Sequence, residues 1–417
     1  MKITIVSAVF PPEPIVSAKT SYSLAVGLVD QNYQVRVIAD FPSRPEGKLY
    51  PGYRRSLNFS VNDPAGFRLV RCFSFLSKES SMISRWMENI SFGLTSSWSL
   101  LFSRRPDAVY SNSWPVFATG FICLACKIRG IPLVLSIQDL YPESLVIQSR
   151  LRPDQRLYRI LFFIDKWITK QADEIVLLSE SHAKSYVKLR NIASTKVHII
   201  ANWVDQNSIE LLGKNDYRKE AGISSDAFVI LYGGNVGKAA GVETIIEAMR
   251  SLNTETEIVL VIAGSGSELT ACQKLASTIE NVRILFHTPW KPEETSKVLA
   301  AADVLILPTQ GTQSLVSVPS KLLSYLLAAK PVLAMVLPES DSAQVIKNAG
   351  CGWVVPPDNM NLLAEKIKEI VGVPKEMLEE MGFSGREYAL NNFTTESSLP
   401  KVIQIIENIV DKVSQPV

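Results

Sequence analysis

Short apolar runs without inside/outside alternation recur along this chain, and stretches of helical periodicity separate them. In the first half the runs fall at 3–9, 34–38, 68–72, 108–110, 133–137, 174–178 and 197–200. Helical patterns lie between them, at 21–30, 86–102, 116–129 and 155–171. A strand that is apolar on both faces suits a parallel sheet covered by helices on each side. The pattern restarts at 228–232 and continues at 258–263, 282–286, 304–307, 332–335 and 353–355, with helices after the first five. Strand–helix alternation of this kind predicts an α/β architecture of doubly wound parallel sheets. Residues 205–226 are polar and irregular, which marks a linker with a short helical piece. Residues 377–413 are expected to be helical throughout, as a tail that crosses back to the first domain.

A length of 417 residues exceeds what one core usually supports, so two domains are expected. Hydrophobic residues make up 47% and charged residues 20%, an ordinary globular balance. The net charge of +2 argues against a general polyanion partner such as nucleic acid. The charge is uneven, however. From Arg54 to Arg129 there are ten Lys/Arg against four Asp/Glu. Five scattered cysteines suit a reducing cytosol. The close pair Cys123 and Cys126 sits in an apolar run and is expected in the core. The chain starts Met1-Lys2 and enters a strand with no cleavage site, and no apolar run reaches the ~18 residues of a spanning helix.

The residues with chemical promise follow strands. An apolar strand runs into Gly233-Gly234-Asn235-Val236-Gly237, with Lys238 and Gly241 next and then a helix. Glycines let a backbone turn sharply against a ligand, and a helix N-terminus offers free N–H groups to a phosphate. Gly264-Ser265-Gly266 makes a second such turn after the next strand. Further on, Pro319-Ser320-Lys321 opens a helix, with Ser320 expected as its N-cap. A lysine is unfavourable at a helix N-terminus, so Lys321 there suggests an anionic ligand. Asp139 follows the strand at 133–137 and is expected to face a cleft, with Glu143 as a second candidate for the same role. Histidines 182, 198 and 287 are too scattered for a metal site. His182 is expected on a helix surface, and His287 near a bound base. Residues 82–105 combine two Trp and two Phe with flanking Arg. That segment suits either a core helix or one lying on an anionic membrane.

Taken in order, the ITIVSAVFPPE start, Gln138-Asp139-Leu140-Tyr141-Pro142-Glu143, the Ile200–Asp205 stretch, the Gly233–Gly237 loop, Gly264–Gly266, Ala302-Asp303, and Pro319-Ser320-Lys321 with Lys330-Pro331-Val332 resemble family-four glycosyltransferases of the GT-B fold. The likeness is greatest to bacterial enzymes of capsule, colanic-acid-type and O-antigen synthesis. It implies two Rossmann-like domains facing across a cleft: an acceptor domain at 1–205, a nucleotide-sugar domain at 206–395, and a returning helix at 396–417. It implies a retaining, metal-independent transfer of a hexosyl or N-acetylhexosaminyl group from a nucleotide diphosphate sugar, most often a UDP-sugar. The acceptor would be a saccharide, often lipid-linked, and the enzyme cytoplasmic, with peripheral contact to the inner membrane. No cofactor is implied. Asp139, Lys238 and Lys321 take the catalytic roles, Asp139 at the acceptor hydroxyl and the lysines at the diphosphate. Gly234, Asn235, Gly237, Gly264, Gly266, His287, Ser320 and Ser324 take the donor contacts. The chain departs from the family where two glutamates are common, at Val316 and Ser324, and at Ala240, where a second cation is usual. A UDP-sugar 2-epimerase of the same fold and a catalytically weak sugar-nucleotide-binding relative stay open as alternatives.

Overall fold

The computed structural model describes residues 1–44, 47–76, 82–147, 150–309 and 319–414. The chain forms two compact units, Met1–Trp203 with Thr395–Val417, and Val204–Thr394. Unit 1 runs β1 (Lys2–Ser7), α1 (Val16–Asp30), β2 (Gln34–Asp40), β3 (Asn58–Asn62), β4 (Arg68–Cys72), α2 (Met82–Leu101), β5 (Ala108–Asn112), α3 (Val116–Arg129) and β6 (Leu133–Ile137). It continues with α4 (Glu143–Ile147), α5 (Arg156–Gln171), β7 (Glu174–Leu177), α6 (Glu180–Arg190) and β8 (Val197–Ile199). Its sheet has the order β3-β4-β2-β1-β5-β6-β7-β8, and every pairing is parallel except that of β3 with β4. Side chains of α2, α3, α5 and α6 share one core with one face of this sheet. Those of α1 and the last helix fill the other face.

Unit 2 opens with α7 (Asn215–Glu220) and then runs β9 (Phe228–Gly233), α8 (Val242–Met249), β10 (Ile258–Ala263), α9 (Leu269–Ala276), β11 (Arg283–His287) and α10 (Thr295–Ala300). After these come β12 (Val304–Pro308), α11 (Ser320–Leu327), β13 (Val332–Met335), α12 (Asp341–Ala349), β14 (Gly352–Val355), α13 (Met360–Val371) and α14 (Lys375–Asn392). The sheet order is β11-β10-β9-β12-β13-β14, parallel throughout. Both sheets are therefore doubly wound, as the uninterrupted apolar strands predict. The strand order reverses between β1 and β5 in unit 1, and between β9 and β12 in unit 2. Open α/β sheets bind ligands beyond the carboxyl ends of the strands at such points.

Several expectations need correction. Helix α1 begins at Val16, five residues before the periodic pattern at 21–30. Its first turns carry small hydroxyl residues whose side chains bond back to the helix, Ser21 Oγ to the Ser17 carbonyl at 2.7 Å, and these mask the apolar period. The tail is not one helix. It breaks at Phe393 and Thr394, and α15 (Thr395–Ser414) follows. Phe393 is buried, and its carbonyl accepts from the Val204 amide at 3.0 Å, which ends α14 where the chain leaves unit 2. His182 is not on the surface. It is buried on α6 with its ring edge toward Tyr186. It lies one and two turns from Tyr186 and Arg190 on the inward face, while Lys184 and Lys188 take the outside. All five cysteines are buried, and none is in a disulfide.

Candidate functional site

In unit 2 the two glycine turns form one continuous backbone surface. The Gly234 amide donates to the Ala263 carbonyl at 2.8 Å, and the Val236 amide to the Ser265 carbonyl at 2.9 Å. The Glu268 amide returns to the Val236 carbonyl at 3.0 Å, and the Gly264 amide reaches the His287 carbonyl at 3.0 Å. The approach is too close for a side chain at Gly264. Its φ is +141°, and a Cβ there would stand 1.9 Å from the Gly234 carbonyl oxygen. Gly234, at φ +150°, serves a different end. A Cβ on it would meet Lys321 Cε at 2.2 Å, so its absence lets the lysine lie across the turn.

Lys321 is therefore brought to the glycine turn by the fold. Its Nζ donates to Tyr232 Oη at 2.6 Å and stands 4.6 Å from that ring's centroid. The Tyr232 hydroxyl donates in turn to the Asn235 carbonyl at 2.7 Å. Tyr325, on the same helix as Lys321, donates from its hydroxyl to the Gly233 carbonyl at 3.1 Å and accepts from the Gly233 amide at 2.9 Å. Burial alone pushes the Lys321 ammonium down to about 8. Among the described residues no carboxylate pairs with it. A buried cation that lacks a counter-charge is costly unless something else supplies one.

Ser320 is not the N-cap of α11. Pro319 occupies that position and Ser320 is the first helical residue, so no side-chain oxygen caps α11. Ser324 lies on the exposed side of α11, its hydroxyl 3.5 Å from the Ser320 carbonyl. Lys238 is exposed in a single turn of 3-10 helix after Gly237. Asn235 is exposed in the turn, and its amide nitrogen approaches the position a Gly237 Cβ would take. Gly266 is fixed by the same kind of crowding as Gly264, against the Val236 carbonyl. The His287 side chain is engaged with Glu294 Oε2 at 3.3 Å and lies edge-on to Tyr217. Val316 lies outside the described residues. Trp290 is an addition: its ring packs against Gly233, and its buried Nε1 has no hydrogen-bond partner among the described residues.

The family motif Ala302-Asp303 has a structural duty at the opposite end of the strands. Asp303 accepts from the Val229 amide at 2.7 Å and from buried Arg218 at 2.7 Å. That guanidinium also binds the Ala227 and Ala301 carbonyls.

In unit 1, Asp139 stands at the mouth of β6 in a cavity of ≈ 510 Å³. Arg44, Arg85, Trp86, Trp114 and Arg150 share the wall. Arg44 pairs with Glu88 and stacks on Trp114, its guanidinium carbon 4.2 Å from the ring centroid. One Asp139 oxygen is buried without a hydrogen-bond partner among the described residues. Burial, reinforced by the Glu143 charge, raises the Asp139 carboxyl above its usual range against the lowering effect of Ser144 and the Leu140 amide. Neighbouring Gln138 links Ser136 at 2.8 Å to Asn202 at 3.0 Å. Glu143, the second candidate, is engaged elsewhere. Both of its oxygens bind buried Arg190, at 2.7 and 2.8 Å. Among the described residues no cluster of His, Cys, Asp or Glu could hold a metal ion.

A two-unit chain with a lysine laid over joined glycine turns belongs to a known class. Residues 17–208 match the model of Glycosyltransferase Family 4, and residues 213–388 match that of Glycosyl transferases group 1. The chain is a glycosyltransferase of this family, with the GT-B fold. It is 26% identical to the probable glycosyltransferase WbjE of Pseudomonas aeruginosa, over 74% of this chain and 80% of that protein. It is 22% identical to the putative colanic acid biosynthesis glycosyl transferase WcaI of Escherichia coli, over 97% and 100%. Among solved structures, Anabaena HepE in complex with UDP-glucose superposes with a TM-score of 0.63 at 13% identity, over 99% of both chains.

Proposed function

We propose that this chain is a retaining, metal-independent glycosyltransferase. It moves a hexosyl or N-acetylhexosaminyl group from a nucleotide diphosphate sugar, a UDP-sugar, to a lipid-linked saccharide in cell-surface polysaccharide assembly. The observation that carries this reading is Lys321, a half-buried ammonium without a carboxylate partner among the described residues, set on the Gly234 turn at an uncapped helix N-terminus. Backbone N–H groups, the α11 dipole and Lys321 would hold the diphosphate and stabilise its charge as the bond to the sugar breaks. Exposed Lys238 adds charge at the same turn. The acceptor hydroxyl then takes the place of the diphosphate on the same face of the sugar. Its proton passes to a base, and the raised, half-satisfied Asp139 carboxylate suits the task of orienting that hydroxyl. The UDP-glucose bound to HepE and the colanic acid pathway in the name of WcaI support the donor and pathway assignments.

The test is proton NMR of the reaction with UDP-glucose, UDP-galactose and UDP-N-acetylglucosamine, with and without a lipid-diphosphate saccharide acceptor and with EDTA throughout. Transfer with the donor's anomeric configuration preserved is expected, and donor left alone should keep its configuration at C2. Asp139→Asn should lower kcat by about 10²-fold with donor affinity unchanged. Interconversion of the donor without acceptor would identify an epimerase instead, and loss of transfer in EDTA would overturn the metal-independent reading.

A further inference from the structure

We propose that the outer face of α2, α3 and α5 in unit 1 docks on an anionic lipid bilayer. No helix among the described residues is long and apolar enough to cross a membrane, so the contact is interfacial. The starting observation is an inverted helix. On α2 every exposed side chain described, apart from Arg85, is large and apolar: Ile83, Met87, Ile90, Leu94 and Trp98, between 38% and 70% exposed. A surface helix normally turns such residues inward. Their spacing from Ile83, at +4, +7, +11 and +15, keeps them within roughly 80° of one another around the helix. Phe102 extends the stripe at 70% exposure and packs against Trp98, the tilted rings 4.2 Å apart at their centroids.

The neighbouring helices widen the stripe into a face. Helices α2, α3 and α5 cover the same side of the sheet. Outward from it, α3 presents Leu124 and Ile128, and α5 presents Ile160 and Phe163. Contiguous apolar surface on this scale marks an interaction site.

Charge selects the occupant. The three helices and the connection at 102–107 hold nine Lys/Arg and three Asp/Glu. Each acid is already engaged: Glu88 with Arg44, Asp165 with Arg190, and Asp107 with the Lys2 amide. None of the nine cations has a carboxylate partner among the described residues. Arg129 donates to the Leu100 carbonyl at 2.6 Å and Lys127 to Gln171 at 3.0 Å, bonds that orient the cation and leave its charge unneutralised. A second copy of the chain would place these cations against themselves, because a two-fold contact joins like surfaces. Anionic headgroups answer the charge, and the acyl boundary accepts the Trp, Phe and Ile side chains.

The face is continuous with the Asp139 cavity. Helix α2 gives Arg85, Trp86 and Asn89 to the cavity wall and the neighbouring Met87 and Ile90 to the outer face. A lipid-linked acceptor would therefore reach Asp139 without leaving the bilayer surface. This consequence rests on the proposed acceptor, whereas docking does not.

The test is flotation of the full chain with phosphatidylcholine vesicles, with and without phosphatidylglycerol, alongside Leu94→Ser/Trp98→Ser and Arg104→Gln/Lys170→Gln variants. Wild type should float with the anionic vesicles and be released by high salt. The apolar variant should bind about tenfold or more weakly. The charge variant should lose only the preference for anionic lipid. Circular dichroism confirms folding, and UDP titration reports unit 2 separately. Wild type remaining in solution, or variants floating like wild type, would overturn the docking face. So would a dimer that these substitutions dissociate in the absence of vesicle binding. Failure of UDP binding with vesicle binding intact would remove the donor reading and leave docking standing.

Discussion

Lys321→Ala is expected to lower turnover by about 10²-fold, the usual cost of removing one preorganised donor to a developing charge. The same change should weaken UDP binding. The pH dependence follows from the half-buried Lys321 ammonium. In the free protein it loses its proton near pH 8, below its ordinary value. A bound diphosphate favours the charged form and raises that value again. UDP should therefore bind more tightly at pH 7 than at pH 9, and Lys321→Ala should flatten the difference. Stability runs the other way. A lysine whose folded value is depressed destabilises the fold while it is charged, below pH 8. The penalty fades as pH rises from about 8 toward the unfolded value. Lys321→Met should accordingly stabilise the ligand-free protein at pH 7 by about 1–3 kcal/mol while abolishing transfer. Calorimetry and a coupled UDP-release assay on one preparation measure both. A variant that is stabilised and fully active would contradict the assigned role.

Arg190→Leu should have the largest effect on the fold. The guanidinium is fully buried and sandwiched near Phe162 and Tyr186. It binds Asp165 at 2.5 Å, both oxygens of Glu143, and the Tyr141 carbonyl at 2.8 Å. Removing it leaves two carboxylates uncompensated, a loss of about 3–5 kcal/mol. Arg190→Lys should recover little, because an ammonium cannot replace a planar fork that holds three partners at once. Tyr141 and Glu143 follow Asp139 directly, so the loss also loosens the turn that sets that carboxylate. Denaturant unfolding of Arg190→Leu should show a midpoint well below wild type. An unchanged midpoint would show that the buried network contributes no net stability.

Much of this architecture is legible in the sequence, for local reasons. Strands such as Ile258–Ala263 and Val332–Met335 are apolar from end to end, and that pattern has few other readings. The two glycine turns announce themselves because no other residue fits positions such as Gly264. Lys321 stands out as a cation at the wrong end of a helix. Features that depend on distant partners are not legible. Arg190 meets Asp165 and Glu143 across 25 and 47 residues, and Arg218 meets Asp303 across 85. The Asp139 motif therefore looks as though Glu143 shared its chemistry, when that carboxylate is bound by Arg190. Tyr232 is overlooked for another reason: it reads as the last apolar residue of a strand, although its hydroxyl bridges Lys321 to the glycine turn. Its place directly before Gly233, at the carboxyl end of β9, is the available signal. Strand β3 is short and lies at an edge, and its Phe59 and Val61 alternation is the one local sign of it. The apolar period of α2 is visible, but periodicity does not say which side of a helix faces the core.

The central claim is that the joined glycine turns and Lys321 form a diphosphate site. A crystal structure of the protein with UDP, grown in EDTA, tests it most directly. The account predicts the diphosphate over Gly234–Gly237, with an oxygen within hydrogen-bond distance of Lys321 Nζ and of backbone amides at the turn or the start of α11. UDP bound elsewhere, or bound at the turns with Lys321 still directed only at Tyr232, would contradict it.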